Sequence, residues 1–115
     1  LAEKGDFALK APIRVLCVDD EQTFLEVTQE CLRLQGGFEV DSASSVKEAC
    51  VKMMNNAYDA VVCDYQMPEK DGLQFLMELR AGGNRIPFIL FTGKGREEVA
   101  VKAVNFGADG YVEKK

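Results

Sequence analysis

The stretch from Val61 to Gly72 reads VVCDYQMPEKDG. Three apolar residues stop at Asp64, and a Met-Pro turn and Gly72 follow. Aspartate is a good turn former, so this segment alone reads equally well as a strand that simply ends. The pattern on either side of it decides.

Working outward, IRVLCV (13–18) is a β-branched run long enough for a strand buried on both faces. FEVDSA (38–43), DAVVC (59–63), PFILF (87–91) and GYVEK (110–114) read as four more strands. Helical patterns lie between them. After DDE, the residues Phe24, Val27, Cys31 and Leu34 recur at helical spacing, Leu25 and Leu32 widen the stripe, and Gly36-Gly37 ends it. SSVKEACVKMMNN forms a second helix, with Ser45 and Glu48 at the spacing of a capping box. GLQFLMELRA forms a third, ended by Gly82-Gly83. REEVAVKAVNF forms a fourth, with Ala100, Ala103 and Val104 on one face and Gly107 at its end. Strands alternating with helices mean βαβ units, hence a parallel, doubly wound α/β sheet with helices on both faces.

Composition agrees with one domain. The 115 residues are 47% hydrophobic and 29% charged, ordinary for a globular protein. No apolar run approaches the roughly 20 residues that span a bilayer, so no membrane insertion is expected. A net charge of -5 argues against nucleic acid as a direct partner. Cys17 and Cys63 sit inside apolar runs as small hydrophobes, none of the four cysteines forms a C-x-x-C pair, and a cytoplasmic location is expected. Histidine is absent, which excludes Ser-His and Cys-His nucleophile systems.

In open parallel sheets the ligand site lies at the carboxyl ends of the strands. The first strand delivers Asp19, Asp20 and Glu21 there, the third Asp64, the fourth Thr92 and the fifth Lys114. The second offers no comparable cluster and is expected at the sheet edge. Taken singly, each residue has a bland reading: an acidic pair caps a helix, a threonine turns a loop, a terminal lysine is solvated. Their convergence on one sheet edge is what the bland readings do not explain. Carboxylates without histidine or thiolate suit a hard cation, and Mg²⁺ fits best because it takes one or two carboxylates and fills its shell with water and phosphate oxygens. With the cation present Asp20 and Asp64 can both stay ionised, one binding metal while the other acts as nucleophile. Thr92 and Lys114 supply the donor and positive charge that a transferring phosphoryl group needs.

Four stretches, VLCVDDE, VVCDYQMPEKDG, FILFTGKG and GADGYVEK, resemble the receiver domain of two-component response regulators, in order and with its usual spacings, from about Ile13 to Lys115. The resemblance implies a flavodoxin-like fold with strand order 2-1-3-4-5. It implies that Asp64 accepts a phosphoryl group from a phosphohistidine kinase or phosphotransfer domain. Mg²⁺ would be held by Asp20, Asp64 and the backbone carbonyl of Gln66, with Asp19 completing the acidic pair. Thr92 and Lys114 would contact the phosphoryl oxygens, and Tyr111 would be the switch aromatic. The domain would catalyse its own phosphorylation and dephosphorylation. It would signal through the fourth helix and fifth strand, to a downstream output domain or protein or to a second copy. Residues 1–12 are then a leader or linker, and 13–115 a receiver domain that stops before the family's fifth helix, leaving one flank of the sheet bare.

One departure concerns the end of the fifth strand. The family usually has proline after its lysine, with a cis bond; here Lys115 follows Lys114, and a cis bond without proline costs about 2.5–4 kcal/mol, so a trans bond is expected. Lys115 is the alternative phosphate contact. FTGKGREE and the Lys-Lys pair are also similar to receivers joined to sensor modules in methanogenic archaea, which favours a multidomain sensory protein over a DNA-binding regulator.

Competing classes fit less well. A haloacid-dehalogenase-like phosphatase wants a second acid two residues after its aspartate, where Gln66 stands. A flavodoxin-like cofactor module wants a Ser/Thr/Gly-rich loop after the first strand, where DDEQTF would repel phosphate. Gly93-Lys94 is not a P-loop, because Phe88 replaces its first glycine and Gly95 its Ser or Thr. The remaining alternative is a receiver-like interaction module that takes no phosphate.

Overall fold

The structure is a computed structural model that describes residues 11–93 and 96–114. Five strands alternate with four helices: β1 (Ile13–Val18), α1 (Gln22–Gln35), β2 (Phe38–Ala43), α2 (Val46–Asn55), β3 (Ala60–Asp64), α3 (Gly72–Ala81), β4 (Phe88–Thr92), α4 (Glu97–Asn105) and β5 (Gly110–Glu113). All pairings are parallel and the order is β2-β1-β3-β4-β5, as expected, with β2 at one edge. This is the flavodoxin-like arrangement.

Alternation along the strands sorts the core into two layers. Leu16, Val18, Val61, Cys63, Phe88 and Leu90 pack with Val46 and Ala49 of α2, Leu73, Phe75 and Leu76 of α3, and Val99 and Ala103 of α4. The large side chains here are fully buried, each worth about 1.5–3 kcal/mol. On the opposite face Val15 and Cys17 meet Leu25 of α1, flanked by Leu32, Phe38, Val40 and Val62. Among the described residues α1 alone covers this face, so Ile89 and Phe91 stay half-buried and Val112 is exposed.

Two helix faces differ from expectation. On α1 the buried line runs through Leu25 and Leu32, while Val27 and Leu34 are 54% and 74% exposed and Cys31 faces out. On α4 the buried pair is Val99 and Ala103, spaced i,i+4, and Val104 points to solvent. In each case two neighbouring apolar stripes were available, and docking on the sheet buried only one of them. The capping box of α2 is also only half formed. Ser45 accepts from the Glu48 N–H at 3.1 Å, but the Glu48 carboxylate returns to Ser44 instead. A complete box stands at α3, where Asp71 and Gln74 bond each other's backbone N–H.

Ala11 and Pro12 are exposed and carry no regular structure. Residues 1–10 of the expected leader, the Lys94-Gly95 pair, and Lys115 lie outside the described residues. Among those described, no helix is long and apolar enough to cross a membrane.

Candidate functional site at the carboxyl edge of the sheet

The β1 ladder runs one residue past its strand, since the Asp19 N–H donates to Ala43 at 3.0 Å. Asp19 is therefore held as a core residue, 2% exposed, with its carboxylate at the sheet's edge. Asp64 closes β3 and is buried too, pinned by the Tyr65 N–H to the Phe91 carbonyl at 2.7 Å. The loop after it folds back so that the Gly72 N–H meets the Tyr65 carbonyl at 2.8 Å. A Cβ at Gly72 would lie 2.2 Å from the Asp64 carbonyl oxygen. The spacing from Asp64 to Gly72 thus has a steric reason: α3 starts directly against the backbone of the aspartate.

Carboxylate oxygens of Asp19, Asp20 and Asp64 all lie within 4.8 Å of one another, and Asp20 is exposed to solvent. An open cavity of about 360 Å³ above them is lined by Asp20, Glu21, Asp64, Gln66, Gly93 and Lys114. The Lys114 ammonium lies 2.9 Å from Asp19 Oδ2 and 3.1 Å from both Asp64 Oδ1 and Glu21 Oε1. Its backbone N–H donates to the Thr92 carbonyl at 2.7 Å, which fixes the register of β5 against β4. Thr92 is buried, and its Oγ1 has no hydrogen-bond partner among the described residues.

Electrostatics follow from this crowding. Burial, then repulsion from Asp19, pushes the Asp64 carboxyl up to about 6; the hydrogen bond and charge of Lys114 pull it back, and Asp20 adds a smaller rise. Burial works against the Lys114 ammonium, but hydrogen bonds to Asp19, Asp64 and Glu21 outweigh it and hold its pKa above the ordinary lysine value. Cys17 is pushed up to about 12 by burial and by Asp19, so it stays a thiol beneath the site. An all-oxygen donor set of three close carboxylates, one exposed and with room for water, suits a hard cation such as Mg²⁺.

The sheet edge therefore brings together Asp19, Asp20, Asp64, Gln66 and Lys114, with Thr92 at the adjoining strand end. Tyr111 lies farther along. It is already half-buried, and its hydroxyl donates to the Arg96 carbonyl at 3.2 Å, so any inward rotation starts from there rather than from solvent. Two neighbours escaped sequence reasoning. Phe24 presents its ring 4.1 Å from the Lys114 ammonium and meets Phe91 edge-on. Arg96 lies 5.8 Å from the Tyr65 ring centre while its carbonyl receives Tyr111. Phe24 was visible only as a helix-stripe residue, and nothing in the sequence marked Arg96.

Comparison with known proteins gives the same address. The response regulator receiver domain family matches residues 15–115. The response regulator SaeR of Staphylococcus aureus is 36% identical over 100 residues, which are 87% of this chain and 43% of that protein. The chain thus spans less than half the length of the curated relatives it matches. Among solved structures, a receiver domain from Clostridium thermocellum is 33% identical with a TM-score of 0.81, covering 89% of this chain and 82% of that one. TrrA from Thermotoga maritima, in complex with Mg²⁺-BeF, is 33% identical with a TM-score of 0.79, covering 90% and 87%.

Proposed function

The chain belongs to the response regulator receiver domain family, and within that family we propose that it is a phosphoacceptor whose nucleophile is Asp64. The observation that carries this reading is the pairing of a buried Asp64 carboxylate with the Lys114 ammonium at 3.1 Å, inside a set of three mutually close aspartates. The donor is a phosphohistidine on a kinase or phosphotransfer domain, since this chain has no histidine of its own. A carboxylate oxygen of Asp64 forms the new P–O bond as the P–N bond to the imidazole breaks, and the leaving imidazole keeps its electron pair. Lys114 balances charge on the phosphoryl oxygens, and Thr92 Oγ1, without a partner among the described residues, donates to one of them. Asp20, Asp64 and the Gln66 carbonyl would hold Mg²⁺, with Asp19 beside them. When bound, the cation neutralises the charge that develops on the transferring group. That TrrA binds Mg²⁺-BeF supports the same chemistry here.

Aspartyl phosphate carries more charge and more acceptor oxygens than a carboxylate, so Thr92 and Lys114 are drawn toward it. The consequence reaches α4 and β5, and along α4 and at its end Val101, Val104 and Phe106 are exposed and offer an apolar surface to an output partner or a second copy. Incubation with acetyl phosphate and Mg²⁺ should label the protein, and Asp64→Asn should abolish the label. Full labelling of Asp64→Asn, or no labelling of the parent chain, would leave a docking module that takes no phosphate.

A further inference from the structure

We propose that Glu21 is a positioning residue for Lys114, holding its ammonium at the rim of the site when Mg²⁺ takes the aspartates. The proposal rests on the metal site described above. Glu21 is the N-cap residue of α1, a position where a shorter Ser, Thr, Asp or Asn side chain ordinarily accepts from the first free N–H groups of the helix. It makes no such bond. Its carboxylate turns to Lys114 instead, at 3.1 Å, and its own backbone N–H is tied to Asp19 Oδ1 at 2.9 Å.

The ammonium bridges Asp19 and Asp64, two of the three acids that converge on the cation site. Two unit positive charges about 4 Å apart repel by about 4 kcal/mol at a near-surface effective dielectric, and a dication repels more. Loading Mg²⁺ must therefore loosen the lysine's hold on Asp64. The turn from Asp19 to Phe24 supplies the alternative seat, since Asp19, Glu21 and the Phe24 ring all touch the ammonium. Lys114 can slide from Asp64 toward Glu21 without leaving Asp19 or Phe24. Glu21 is 68% exposed, so it offers a counter-charge at the mouth of the site without competing for the buried metal position.

The test is calorimetric Mg²⁺ titration of the whole chain and four variants: Glu21→Gln, Glu21→Asp, Lys114→Met, and Glu21→Gln with Lys114→Met. Glu21→Gln should weaken Mg²⁺ binding about threefold when Lys114 is present, the scale of one exposed ion pair. In the Lys114→Met background the same change should have no measurable effect. Glu21→Asp keeps the charge but shortens the reach, and should weaken binding as much as glutamine does. Equal weakening with and without Lys114, or wild-type affinity in Glu21→Asp, would show that Glu21 acts as a bare charge and would overturn the proposal. Absence of Mg²⁺ binding by the unsubstituted protein would overturn the metal site itself, and this proposal with it. The Glu21→Asp arm keeps the question decidable even if Lys114→Met does not fold.

Discussion

Lys114 and Asp19 stand 95 residues apart in the chain and 2.9 Å apart at their charged ends. β1 and β5 are not neighbours in the sheet, so this pair closes only when β3 and β4 lie between them in register. Asp19 is nearly fully buried and Lys114 mostly so, which makes the pair unlike a surface salt bridge. Removing the ammonium leaves two buried carboxylates facing each other with no counter-charge. Lys114→Met should therefore lower the stability of the metal-free protein at neutral pH by about 2–3 kcal/mol. Mg²⁺ should restore much of the loss, because it compensates the same carboxylates. Urea unfolding with a chelator and with Mg²⁺ checks this, and equal losses in the two conditions would show that charge compensation is not the lysine's role.

The raised pKa of Asp64 has a definite sign. In the unfolded chain an aspartate titrates near 3.9, whereas in the fold Asp64 is pushed up to about 6. Between those values the native state holds a proton that the unfolded state has lost. The stability of the metal-free protein therefore falls as pH rises from about 4 to about 6. Asp64→Asn should flatten that part of the profile and raise stability at neutral pH by on the order of 1–2 kcal/mol. A parallel pH profile for the two proteins in chelator would remove Asp64 as the source.

Much of this was legible in the sequence because strand ends and glycines are local signals. The bounds of β2 and α3 coincide with the apolar runs FEVDSA and GLQFLMELRA, each set off by glycine on at least one side. The strand-end rule picked out Asp19, Asp20, Asp64, Thr92 and Lys114 because a parallel sheet leaves few residues able to meet. Helix rotation was not legible. A run such as FLEVTQECLRL carries two overlapping stripes, and only docking on β1 and β2 chooses Leu25 and Leu32 over Val27 and Leu34. The same ambiguity hid Phe24 and Arg96. Both sit at helix starts, where a side chain's direction depends on how the helix is seated.

Gly72 tests the seating of α3 against Asp64. Its φ is not in the left-handed region, so the requirement for glycine here is space rather than backbone freedom. An added Cβ would meet the Asp64 carbonyl oxygen at 2.2 Å and Leu90 Cδ1 at 2.9 Å. The first of these is backbone and cannot rotate away. Gly72→Ala should destabilise the protein by about 1–3 kcal/mol and weaken binding of beryllofluoride, a phosphoryl mimic, in Mg²⁺. Gly83, with nothing near its Cβ position but a positive φ of 83°, is the contrasting site. Gly83→Ala should lose stability through backbone strain alone and leave beryllofluoride affinity unchanged. If both variants impair the mimic equally, the close approach of Gly72 to Asp64 is not what shapes the site.

Thr92 gives a test of the proposed switch. Its Oγ1 is buried with no partner among the described residues, so Thr92→Val removes a desolvated hydroxyl and sacrifices no hydrogen bond. The variant should be as stable as the parent in chelator, or more stable by up to about 1 kcal/mol. In Mg²⁺ and beryllofluoride the order should invert, because the parent gains a charge-assisted hydrogen bond that valine cannot make. That difference should weaken beryllofluoride binding about tenfold, corresponding to a bond of about 1.5 kcal/mol. Hydrogen exchange then locates the consequence. In the parent, the mimic should alter protection from Thr92 through α4 to Tyr111, including the N–H groups near the Arg96 carbonyl that receives the Tyr111 hydroxyl. In Thr92→Val that distal response should vanish, while the loop after Asp64 still responds to the bound ion. A full α4 and β5 response in the valine variant would mean that Thr92 does not carry the switch, and a stability loss above about 1 kcal/mol in chelator would mean that its hydroxyl is already bonded before phosphorylation.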